Sequence, residues 1–162
     1  MRPSELPRPL AALAERLLAD ARSVIASGCT LSAPVWQGRV LDVSSLATRA
    51  IEARYDGAVV VEDADLSAVL GLLRPVLRDG ARLLVARRLA RSPLAQLRDL
   101  VAPEPPPSRA LAPLCDALLR RGLVAPRAHD VAPGWVAASA EMPSTRDALD
   151  TIFEQPTHPA HR

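Results

Sequence analysis

The chain contains no lysine and no asparagine; all 20 of its basic side chains are arginine. Isoleucine, phenylalanine and tyrosine are scarce as well, while alanine, arginine, leucine, proline and valine abound. The missing residues share AT-rich codons, so a GC-rich genome accounts for the bias. With two tryptophans, one tyrosine and one phenylalanine, the chain lacks the aromatic platforms on which nucleic-acid bases stack. Its formal net charge is only +2, with acids interleaved among the arginines, so a sequence pI near 8.9 describes a mixed surface, not a polyanion-binding one. The two cysteines, Cys29 and Cys115, are isolated, which excludes a disulfide framework and the usual zinc spacings and predicts free, buried thiols. No metal site is predicted. No apolar run approaches the roughly 20 residues of a membrane span. Residues 1–9 lack the charged and apolar regions of a signal peptide, so a cytoplasmic location is expected. G-x-S-x-G, P-loop, H-E-x-x-H and C-x-x-C patterns are all missing, so no catalytic residue is assigned.

What is present is an alternation of helix and strand patterns. Pro7 and Pro9 open a helical pattern read as far as Gly28, with Leu10, Leu13, Leu17, Val24 and Ile25 on one face. A loop or short extended piece, TLSAPVWQG, follows. RVLDVSS reads as a strand over 39–43, and a short helix capped by Ser44 or Ser45 runs to Arg54. The run GAVVVED suits a strand buried on both faces. Leu66, Val69, Leu70, Leu73 and Leu77 share a helix face, Pro75 should strain the end of that helix, and Asp79-Gly80 turns into the strand ARLLVAR. A helix from Ser92 to Val101, a stiff PEPPPS connector and a helix from Ser108 to Arg121 stopped by Gly122 come next. LVAPRAHDV and WVAASAE, around Pro133-Gly134, predict an antiparallel hairpin. Ser144-Thr145-Arg146-Asp147 predicts a last helix. The expected organisation is one α/β domain over residues 1–154, opened by an N-terminal helix and loop over 1–38, with a frayed tail at 155–162.

From Tyr55 onward this order resembles the C-terminal half of class I S-adenosylmethionine-dependent methyltransferases. The apolar run after Tyr55-Asp56 is similar to that family's fourth strand, LRPVLRDGARLLVAR to the next helix and fifth strand, and LLRRGLV with the hairpin to its closing elements. The resemblance implies a reduced Rossmann-like sheet, mostly parallel, with a C-terminal antiparallel hairpin and flanking helices. It also implies a cofactor loop written roughly acid-x-Gly-x-Gly after the first strand, and an acid ending the next strand to hold ribose hydroxyls. No G-x-G occurs here, and the N-terminal part reads as one long helix. The expectation is therefore a degenerate domain that binds no cofactor. It would act as a protein-interaction or scaffold module, as a homo-oligomer or beside another protein, with neither nucleic acid nor membrane as partner. Two alternatives stand beside it: a small methyltransferase with an atypical S-adenosylmethionine site, and a pseudo-receiver-like signalling module, against which the hairpin argues.

The candidate residues follow from these readings. Asp42 ends a predicted strand at the edge where α/β sheets bind ligands; its plain alternative is a helix cap or turn acid. Glu62 and Asp63 follow the fourth-strand-like run and, with Asp42, are the cofactor contacts if one binds; otherwise they are solvated turn acids. His129 with Asp130 has the composition of an oriented base, but alternation on an edge strand is the reading favoured. Trp36, in a Pro/Gly-flanked loop, and the basic group Arg87, Arg88 and Arg91 are the candidate partner contacts.

Overall fold

A computed structural model of the chain describes residues 4–31, 40–42, 54–62, 66–89, 108–131 and 134–144. The expected helices at 44–54, 92–101 and 144–154, and the tail at 155–162, lie largely or wholly outside these residues. The strands are β1 (Ser4–Glu5), β2 (Val24–Ser27), β3 (Cys29–Thr30), β4 (Val40–Asp42), β5 (Tyr55–Glu62), β6 (Leu77–Arg88), β7 (Val124–His129) and β8 (Trp135–Glu141). The helices are α1 (Arg8–Leu17), α2 (Leu66–Leu73) and α3 (Ser108–Arg120).

Six strands form one sheet in the order β4-β2-β5-β6-β8-β7. β4, β2, β5 and β6 are parallel, and β8 and β7 close the sheet antiparallel. This is the Rossmann-like methyltransferase-type sheet that the sequence pattern implies. Tyr55–Glu62, the counterpart of the family's fourth strand, is preceded in this sheet by two strands, not three, among the described residues. β1 and β3 pair separately, Ser4 opposite Cys29 and Glu5 opposite Thr30.

Alternation along the central strands makes two cores. Ile25, Ala58, Val60, Leu83, Val85, Val136 and Ala138 pack under α2 and α3, through Leu66, Leu70 and Leu73 and through Leu111, Leu114 and Leu118. Val24, Ala26, Val59, Val61, Leu84, Ala86 and Ala137 face α1, through Leu10, Leu13 and Ala14. Helices on both sides explain why β5 and β6 read as continuous apolar runs. Burying each Leu or Val side chain contributes about 1.5–3 kcal/mol before chain entropy is set against it.

Three expectations need correction. The N-terminal helix does not reach Gly28. It ends at Leu17, the Leu18 amide bonds to the Ala14 carbonyl at 2.9 Å, and a turn follows. Val24 and Ile25 then lie in β2, a strand between β4 and β5. Two β-branched residues favour a strand, and the backbone before them is held by another strand. Asp56 Oδ2 accepts the Arg22 and Ser23 amides at 3.1 and 3.2 Å, while the Ser23 carbonyl accepts the Asp56 and Gly57 amides at 3.0 and 3.3 Å. Next, β6 begins at Leu77, before Asp79-Gly80. The chain bulges there, so that Tyr55 pairs with Leu77 but Gly57 with Arg82. Finally, Cys115 is only partly buried, although Cys29 is buried; neither forms a disulfide.

Other expectations hold. Pro75 sits in a 3-10 turn over Arg74–Val76 that ends α2. α3 closes at Gly122, which takes φ +74° while the Leu123 amide bonds back to the Leu118 carbonyl. The hairpin of β7 and β8 forms as predicted.

Candidate functional site

Parallel α/β sheets bind ligands outside the carboxyl ends of their strands, where adjacent connections leave in opposite directions. Here that point lies between β2 and β5: the chain leaving β2 returns as β4 on one side, and the chain leaving β5 returns as β6 on the other. At the end of β2 stands Gly28, with φ +73°. A Cβ at this position would lie 2.4 Å from the Val61 carbonyl oxygen and 3.3 Å from the Val61 carbonyl carbon. Both contacts are with backbone, so no rotamer change relieves them. Only glycine lets the chain turn out of β2 this close to β5. Beyond it, β3 is held extended by β1, which brings Ser4 and Glu5 beside Cys29 and Thr30.

The sequence-predicted residues fall around this edge. Asp42 is the last residue of β4 and pairs with Ala26, two residues before Gly28. Glu62 is the last residue of β5 and pairs with Arg87 near the end of β6. Arg87 and Arg88 are exposed, and Arg88 pairs with Trp135. Register places Glu62 and Arg87 level at the carboxyl ends of β5 and β6, with Arg88 next along, while Asp42, level with Ala26 and Val59, ends β4 three residues short of Glu62. Asp63, Trp36 and Arg91 lie outside the described residues. His129 does not combine with Asp130 as a base pair would; its Nε2 is 2.8 Å from Ser139 Oγ on the neighbouring strand. Among the described residues no group of three His, Cys, Asp or Glu is placed to hold a metal ion, and no helix is long and apolar enough to cross a membrane.

Sequence reasoning missed Gly28 as a site residue. The signal was SVIASG, a β-branched pair running into a small residue and glycine, which the helical period absorbed because Val24 and Ile25 also fit the α1 face.

No protein-family model matches the chain, and no curated protein matches it. Solved structures do. An O-methyltransferase family protein from Burkholderia thailandensis superposes with a TM-score of 0.52 at 13% identity, over 85% of this chain and 56% of that one. The S-adenosylmethionine-dependent methyltransferase SibL gives 0.52 at 12% identity, over 84% and 55%. The N-methyltransferase NodS from Bradyrhizobium japonicum, in complex with S-adenosyl-L-homocysteine, gives 0.49 at 13%, over 85% and 87%. The chain thus spans little more than half the length of the first two. It has the class I methyltransferase-like fold.

The expectation of a domain without a cofactor is corrected on two grounds. It rested on the lack of a G-x-G and on an N-terminal part read as one long helix; the G-x-G is still lacking, but β2 with Gly28 supplies a strand and a glycine turn where the helix was expected. Of the solved structures that share the fold, SibL is named as an S-adenosylmethionine-dependent methyltransferase and another as an O-methyltransferase family protein. What differs from the acid-x-Gly-x-Gly pattern is local. Ala26 stands where the acid would be, and Thr30 stands where the second glycine would be.

Proposed function

We propose that this chain is a small S-adenosylmethionine-dependent methyltransferase domain with an atypical cofactor site at the carboxyl ends of β2, β4 and β5. The observation that carries the reading is Gly28, the residue at the switch point whose absent side chain keeps the backbone against Val61. That position fits a ligand approached by backbone, as the resemblance implies. Asp42, ending the strand beside β2, stands where the family's ribose-binding acid would, and its carboxylate would accept the two ribose hydroxyls. Bound S-adenosylmethionine supplies an electrophilic methyl group. The chain's share is to bind and orient it, with Thr30 in place of a glycine holding the loop farther from the ligand. Weaker binding than a glycine-rich loop gives follows from that substitution. The acceptor would approach along the edge formed by Glu62 and Arg87.

Calorimetric titration of the full chain with S-adenosylmethionine and S-adenosylhomocysteine tests this. Saturable binding is expected, weakened about tenfold or more by Asp42→Ala, the cost of losing a charged hydrogen-bond acceptor. A folded protein that binds neither compound would overturn the proposal.

A further inference from the structure

A second concavity lies on the α1 side of the sheet, away from Gly28. It is a groove of about 310 Å³ lined by Pro9, Ala12, Leu13 and Arg16 of α1 and by residues 128–131 at the end of β7. β7 is the sixth strand in the order and β2 the second, so the two sites stand about 19 Å apart at the usual strand spacing. His129 pairs across the hairpin with Ala137, which pairs with Ala86, so the groove opens near the same carboxyl edge.

Its chemistry is uneven in a useful way. One wall is apolar: Pro9, Ala12, Leu13 and Val131. The other carries charge and a titratable ring. Arg16 reaches in from α1, and Asp130 follows His129 on the chain. The groups that act on His129 are Arg16 across the groove and Arg127 on its own strand, both cationic. Neither arginine forms an ion pair among the described residues. Arg16 and Asp130 are the charged residues of its lining and offset each other, so a protonated His129 makes the groove net positive; Arg127 stands two residues before His129 on the same strand. The ring's Nε2 is engaged by Ser139 Oγ, itself buried, which fixes the imidazole at the groove.

We propose that this groove binds a small carboxylate with an apolar body, its head held by Arg16 and His129 and its body against Pro9, Ala12, Leu13 and Val131. The volume is at the lower end of ligand pockets, which sets the size class. A bound anion favours the charged imidazole, so binding takes up a proton and strengthens as pH falls through the ordinary histidine range. Asp130 opposes a second negative charge, which selects a monoanion.

The test is NMR of the full chain, following the His129 ring protons through pH titrations with and without benzoate. Benzoate is expected to shift these resonances saturably, to raise the pKa of His129, and to bind about tenfold or more weakly to Arg16→Ala. Inorganic phosphate, which lacks an apolar body, is expected to bind more weakly than benzoate. A His129 pKa that benzoate leaves in place, unchanged affinity in Arg16→Ala, or equal affinity for phosphate would each overturn the assignment.

Discussion

Ser23 gives both its amide and its hydroxyl to one oxygen of Asp56, Oδ2, each at 3.2 Å. The same oxygen takes the Arg22 amide, and Oδ1 faces Arg78 Nη1 at 2.8 Å. One carboxylate at the start of β5 therefore fixes where β2 begins. Asp56→Ala is expected to lower the unfolding free energy by about 2–3 kcal/mol, since it strands backbone donors that a charged acceptor satisfied. Arg78→Ala removes a half-exposed ion-pair partner and should cost less than about 1 kcal/mol. Urea denaturation of both variants separates the two contributions. Equal losses would mean the ion pair, not the amide bonds, holds the junction.

Gly28 and Gly80 share φ +73° but differ in surroundings. A Cβ at Gly80 meets nothing within 4 Å, whereas at Gly28 it meets the Val61 carbonyl oxygen. Gly80→Ala should therefore cost only the left-handed backbone penalty, about 1–2 kcal/mol. Gly28→Ala must also displace β5 or the turn, and should cost clearly more and lower affinity at the proposed cofactor edge. Thermal unfolding of the two variants compares them directly. A Gly28→Ala protein as stable as Gly80→Ala would show that the turn relaxes easily.

Much of the fold was legible because local pattern and tertiary setting agree from Tyr55 onward. The run AVVV, the Leu66–Leu73 face and the LLVA run each carry one period and meet the neighbours that period implies. The N-terminal third was not legible for a definite reason. Val24 and Ile25 satisfy both the α1 stripe and a strand, and the residue that decides between them is Asp56, more than 30 positions away. Hydrophobic periodicity carries no information about such a contact. The same error hid the site, because Gly28 read as the end of a helix when it is the turn out of the first sheet strand. Asp42 and Glu62 could be placed at strand ends because a strand followed by an acid marks a carboxyl edge without knowledge of strand order.

His129 gives a pH-dependent contribution to stability. Burial, then the positive charges of Arg16 and Arg127, push its pKa below the ordinary value. The folded protein therefore holds fewer protons than the unfolded chain through and just below the usual histidine range. Stability rises with pH wherever the unfolded state holds more protons, so this contribution is complete above about pH 6.5 and is lost as pH falls. His129→Gln should remove that part of the pH dependence and leave the carboxylate-driven loss at lower pH. Denaturant midpoints of both proteins between mildly acidic and neutral pH check it. A wild-type curve parallel to that of the variant would mean His129 titrates alike in the two states.

Cys115 offers a kinetic test of an electrostatic effect on α3. Its thiol is partly exposed, yet burial and then the adjacent Asp116 carboxylate raise its pKa. The thiolate is the reacting form, so native Cys115 should react slowly with a disulfide reagent near neutrality and faster as pH rises. Asp116→Asn removes the nearby charge and should speed the reaction at fixed pH while leaving burial in place. Cys29, 3% exposed, should be labelled only when the protein unfolds. Stopped-flow labelling of the native and denatured protein distinguishes the two thiols by amplitude. Were Asp116→Asn to leave the native rate unchanged, access alone, not the thiol's charge state, would control reactivity on this helix.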